Sequence, residues 1–193
     1  MAEPQGGSGP QRSVQGLSAT TRIATDRGWR PAVDLRPGDT VPGAADAPQP
    51  VIAVYHTPAD PELPALFWPV LVPAQAFGNP AAVRLQPGQP VMLDTDAGIE
   101  LYGDPCPAVP ALALTGWRGI ARHHCLQPTV NLLFARAHVI YAGGGLILGF
   151  DGVSGAAPVL GLAQARHLVA CIAAEEAGQA LHRQAALRSA NRA

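Results

Sequence analysis

"GLSATTRIATDRGWRPAVDLRPGDTV", residues 16–41, is the stretch on which the fold turns. Within it, TRIAT (21–25) alternates in polarity and is rich in β-branched side chains, which suits a strand. DRG (26–28) is a turn, and WRPAVDL (29–35) reads as a second short strand. RPGD (36–39) has Pro followed by Gly, the order a type II turn requires because glycine supplies the positive φ.

The same texture continues outward. PVIAVYHT (50–57) is a strand with Val51, Ala53 and Tyr55 on one face, and DPELP (60–64) then breaks the chain. FWPVLVPAQAF (67–77) is apolar but interrupted by Pro, which fits an edge or bulged strand, with Phe67 and Trp68 assigned to the core. AVRLQPGQPVML (82–93) holds two strand pieces around a Pro-Gly turn. IELYGDP (99–105) and VPALAL (109–114) continue the series of strands. Residues 128–150 read as two strands joined at 135–137, with a Gly-rich bend at 143–145. Turn signals about every ten residues are the mark of an all-β domain.

The two ends differ from this middle. Residues 1–13 are mostly Gly, Pro, Gln and Ser with almost nothing apolar to bury, so a disordered tail is expected. Residues 162–193 are Ala-rich and free of Pro. Leu162, Ala165, Val169, Ile172 and Ala173 fit one helical face. Glu175 and Glu176 precede His182, Arg183 and Arg188, the order a helix dipole favours. Gly178 weakens such a helix by about 1 kcal/mol relative to Ala, so one or two helices are expected.

Composition narrows the chemistry. The chain has 193 residues, enough for one domain with a real core plus an appendage. A net charge of −1 leaves no electrostatic footprint for nucleic acid. All 13 basic residues are Arg, so neither a Schiff base nor a P-loop lysine is available. With 20 Pro and 21 Gly, long helices are excluded over most of the chain. Cys106, Cys125 and Cys171 are odd in number and unpaired by any CxxC spacing, which reads as free thiols in a reducing compartment. The N-terminus lacks the apolar core of a signal peptide, and no apolar run reaches spanning length. A cytoplasmic protein with no membrane segment is the expectation.

The stretch 16–41 resembles the opening of bacterial Hedgehog/intein (Hint) domains. That family begins Cys-Phe-x-x-Gly-Thr-x-Ile-x-Thr and continues through a Gly turn to Leu-x-x-Gly-Asp-x-Val. Thr21, Ile23, Thr25, Gly28, Val33, Leu35, Gly38, Asp39 and Val41 fall in that register. PVIAVYH, PVLVPAQAFGNPAAVRLQPGQPVML, ELYG, VPALAL and HVIYAGGGLILGF echo later family blocks in order, so the similarity runs from about Val14 to Gly152. The resemblance implies a β-rich, horseshoe-shaped fold. It also implies self-cleavage or splicing, in which a first-position Cys or Ser attacks the preceding carbonyl and a His protonates the departing amide nitrogen.

The residues that would carry this chemistry are missing. The nucleophile position is Gly16. The His of the family's Leu-Ser-Pro-x-His is Gln89, and its Ser is Gln86. Gln cannot deliver a proton near neutral pH. A later family His is Ala137, and the Glu of Glu-Ser-Phe is Leu148. His138 is shifted by one residue, which in a strand turns it to the opposite face. Ser18 lies two residues on, roughly 6.6 Å along a strand, where attack needs about 3–3.5 Å. Ser13 lies upstream of the bond and is no better placed.

The remaining candidates read as structural. Thr21 and Thr25 are strand residues, and Asp39 accepts backbone hydrogen bonds in its turn. Cys106, His123, His124, Cys125 and His138 match no zinc-ligand spacing, and Gly143–Gly145 lacks the G-x-G-x-x-G pattern of a phosphate cradle. The sequence therefore assigns no catalytic, cofactor-binding or metal residue. It gives a mainly β Hint-like domain over 14–152 with a helical C-terminal extension over 153–193, acting as a binding or structural module. Two alternatives stand beside it: residual self-cleavage using Ser18 with His138, and a protein partner docked on an apolar stripe of the C-terminal helix through Val169 and Ile172.

Overall fold

A computed structural model describes residues 15–156 and 158–190, so the tail at 1–13 lies outside the described residues. In chain order the strands are β1 (Leu17–Ser18), β2 (Arg22–Thr25), β3 (Gly28–Pro31), β4 (Thr40–Val41), β5 (Gln49–Pro50), β6 (Ala53–Thr57) and β7 (Val70–Val72). There follow β8 (Val83–Leu85), β9 (Pro90–Met92), β10 (Ala108–Pro110), β11 (Ala121–Arg122), β12 (Thr129–Leu133), β13 (His138–Ala142) and β14 (Leu146–Phe150). Among the described residues two α-helices complete the fold: α1 (Asp96–Tyr102) and α2 (Leu162–Ala190).

The strands form two six-stranded sheets and one small pair. The first sheet runs β11-β7-β8-β1-β12-β6, the second β10-β9-β14-β13-β2-β3, and β4 pairs with β5. All strand pairings are antiparallel. Side chains from both sheets, among them Leu17, Leu85 and Val130 from the first and Ile23, Ile140 and Leu148 from the second, bury into one continuous core. The opening stretch supplies strands to both sheets, β1 to one and the β2–β3 hairpin to the other. β2 lies beside β13, with Ala142 opposite Ile23.

Local chemistry explains the turns. The Pro37-Gly38 turn closes with the Asp39 amide donating to the Arg36 carbonyl at 3.0 Å. At the β13–β14 bend, Gly143 and Gly144 have φ of 60° and 85°, the positive pair that tight hairpin turns need. The segment 128–150 thus holds three strands, β12 to β14.

Several expectations are corrected. The stretch 99–105 is not a strand: α1 covers 96–102 and ends at Gly103, whose left-handed backbone (φ 70°) caps it. The second strand of the opening hairpin stops at Pro31, and residues 32–34 form a short 3₁₀ turn. Residues 111–114 are likewise a 3₁₀ turn rather than strand. Phe67 is exposed (40%), and Trp68 is only partly buried, its indole Nε1 donating to the Leu63 carbonyl at 2.9 Å.

The C-terminal segment is one helix, unbroken at Gly178. Ala165, Leu168, Val169 and Ile172 form its buried stripe and join the core of the β domain. Leu162 is exposed. The stripe through Val169 and Ile172 is therefore covered by this chain itself rather than presented to another protein. Glu176 does more than favour the dipole: it accepts from the Trp117 indole at 3.1 Å and pairs with Arg118, which also lies over the Trp117 ring.

Candidate functional site

Residue 16 sits at the mouth of β1, an inner strand held by β8 on one side and β12 on the other. Leu17 is opposite both Val130 and Leu85. The turn after β8 then brings two glutamines to it. The Gln86 amide donates to the Gly16 carbonyl at 2.8 Å, and the Gln89 amide closes the Pro87-Gly88 turn by donating to the Gln86 carbonyl at 3.0 Å. That turn aims the Gln89 side chain back at the start of β1. Its Oε1 accepts the Gly16 N–H at 2.8 Å.

Gln89 is fully buried and its amide orientation is fixed by its partners. The Oε1 must face the Gly16 N–H, because the Nε2 donates to the Gly149 carbonyl at 2.7 Å and to the Pro90 carbonyl at 3.3 Å. Gln89 thus contacts the same nitrogen that the resemblance would have a histidine protonate. A carboxamide oxygen can only accept there.

The other half of the site is equally specific. Gly16 has φ of +135°, a conformation that L side chains rarely adopt. A Cβ at this position would lie 2.9 Å from the Val130 carbonyl oxygen and 3.6 Å from the Gln86 Cγ. The backbone around residue 16 has closed over the space a nucleophile's side chain would need. A cleft of about 330 Å³ opens beside Gln86 and Pro87, with apolar walls from Leu66, Phe67 and Leu112.

The structure does not bring Ser18 and His138 together. Ser18 is buried, and its hydroxyl shares a 2.8 Å hydrogen bond with Thr21. His138 is fully buried with both ring nitrogens engaged elsewhere. Its Nε2 donates to the Val41 carbonyl at 3.1 Å, and its Nδ1 accepts from the Gln49 amide at 3.1 Å. Gln49 is itself oriented, since its Oε1 accepts the Arg136 N–H at 3.2 Å. The ring packs edge-on against Phe134, 4.8 Å between centroids. His138 therefore ties β13 to β4 and β5. Gln49 was invisible to sequence reasoning, because nothing in its neighbours marks it as a partner for a residue so distant in the chain.

Leu148 is buried opposite Val91, where an apolar side chain fits the core. Thr25 is the last residue of β2 and closes the hairpin turn: its hydroxyl donates to the Gly28 carbonyl at 2.7 Å and accepts from the Arg27 amide at 3.2 Å. Asp39 also closes its own turn, accepting the Arg36 amide at 2.7 Å and pairing with Arg30 at 2.9 Å. Burial alone would raise its pKa, but the Arg36 amide and the Arg30 and Arg27 charges together hold it below the ordinary 3.8.

The His and Cys candidates are dispersed. His124 packs against Trp68, 5.4 Å between ring centroids. Burial, with Asp94 and Asp104 nearby, raises the Cys106 pKa above its ordinary 9.0, which keeps it a thiol at neutral pH. Among the described residues no group of three or more His, Cys, Asp or Glu is placed to hold a metal ion. Among the same residues no helix is long and apolar enough to cross a membrane.

Comparison with known proteins bears on this arrangement. A search of curated proteins found no match. Among solved structures the chain is similar to a bacterial intein-like domain from Clostridium thermocellum, at 13% identity, over 69% of this chain and 97% of that one, with a TM-score of 0.48. It is also similar to the gp41-1 intein, at 12% identity, over 71% of this chain and 98% of that one, with a TM-score of 0.43. The Hint domain family model matches residues 15–147. That match starts one residue before Gly16 and takes in Gln89 and His138, so the chain belongs to the Hint domain family.

Proposed function

We propose that this Hint domain does not process itself and serves as a binding or structural module. The observation that carries the reading is the contact between Gly16 and Gln89, in which the Gly16 N–H is held at 2.8 Å by an oxygen that has no proton to give. The residue on which attack would depend has no side chain. Ala137, the third altered position, offers only a methyl group. When residues act as a unit, loss of the nucleophile alone removes most of the rate enhancement.

The test is direct. The full chain is expressed behind an N-terminal reporter and its mass is followed over days, with and without dithiothreitol. The fusion is expected to stay intact under both conditions. Release of the reporter at the 15–16 bond would overturn the proposal.

A further inference from the structure

A second cavity, of about 460 Å³, is lined by neither Gly16 nor Gln89 and has a different character. Arg22 of β2 and Arg84 of β8 both line it, with Gln127 beside them. Trp29, Pro80 and Val83 give it apolar walls, and no aspartate or glutamate contributes to its lining.

Four other arginines are committed elsewhere. Arg30 pairs with Asp39, and Arg118 pairs with Glu176. Arg36 and Arg122 donate to backbone carbonyls. Arg84 is partly buried, and its Nε is a buried donor with no hydrogen-bond partner among the described residues. Two cations lining one cavity without a counter-charge also set up a positive potential inside it.

We infer that this cavity binds a small organic carboxylate through Arg84 and Arg22, with its apolar body against Trp29. A guanidinium fork matches the two oxygens of a carboxylate. Pockets for small molecules combine apolar walls with a few polar groups, at volumes of about 300–1,000 Å³. Trp29, Pro80 and Val83 suit an organic body better than a bare inorganic anion. The inference does not depend on whether the 15–16 bond is ever cut.

The test is isothermal titration of the full chain with benzoate, and in parallel with inorganic phosphate. Benzoate is expected to bind with one-to-one stoichiometry. Arg84→Gln should raise its Kd at least tenfold, and Arg84→Lys should raise it less. Arg183→Gln, an exposed helix residue outside the cavity, should leave the Kd unchanged. If Arg84→Gln does not fold, Arg22→Gln on the exposed side of β2 takes its place, with a rise of threefold or more expected. Absence of saturable benzoate binding, an equal loss in Arg183→Gln, or phosphate binding more tightly than benzoate would each overturn the inference.

Discussion

A cysteine placed at position 16 would meet an obstacle before it met any bond to cleave. Its Cβ would press on the Val130 carbonyl at 2.9 Å, in a backbone conformation suited to glycine. Gly16→Cys is expected to cost about 1–3 kcal/mol, read as a lower urea midpoint at unchanged slope. Joined with Gln89→His, it should still release no reporter, because the strand carrying Val130 fills the space the thiol needs. Gln89→Ala leaves the Gly16 N–H and the Gly149 carbonyl without their buried partner. That change should cost about 2–4 kcal/mol by the same measurement, since a buried group left unpaired loses its solvation as well as its bond. The site was partly legible in the sequence: position 16 and position 89 could be named from the order of the motifs. What Gln89 does could not, because its partners are backbone atoms of residues 16 and 149, which only the folded sheets bring together.

At the scale of elements, period and turn chemistry carried most of the reading. Strands β2, β8 and β9, the Pro37-Gly38 turn and the helical tail follow from alternation, Pro-Gly order and Ala-rich spacing. Helix α1 did not, because Ile99 and Leu101 mimic the alternation of a strand. Both are exposed, while Ala97 and Gly98 make the buried contact. The signal for a helix lies in Gly103 as a terminator, and the apolar pair masks it. Helix α2 makes two opposite predictions. Leu168 is fully buried, so Leu168→Ala should destabilise by about 2–4 kcal/mol. A Cβ on Gly178 would meet nothing within 4 Å, so Gly178→Ala should stabilise by about 0.5–1 kcal/mol. Equilibrium chemical denaturation checks both. A helix broken at Gly178 would show no gain.

For the whole molecule, acid is the condition that separates its charged ties from its core. Asp39 and Glu176 both have pKa values below the ordinary 3.8 and 4.5; burial opposes this, while arginine partners and hydrogen bonds outweigh it. A carboxylate lowered on folding stabilises the native state above its unfolded value, and that contribution is lost as the pH falls through the folded value. Stability should therefore be level above about pH 5 and decline below about pH 4. Asp39→Asn should flatten part of that decline in a series of melts across the acid range. The order of strands was the least legible feature, because antiparallel pairing between distant segments leaves no trace in either one alone. That order has a consequence for the chain as it is made. β1 emerges early, yet it lies between β8 and β12, and β12 is not complete until Leu133. During synthesis the first strand can gain one neighbour and must then wait, with an open edge, for the second. A nascent chain stalled before Thr129 would carry that edge exposed, the kind of surface on which unfinished β proteins pair with one another.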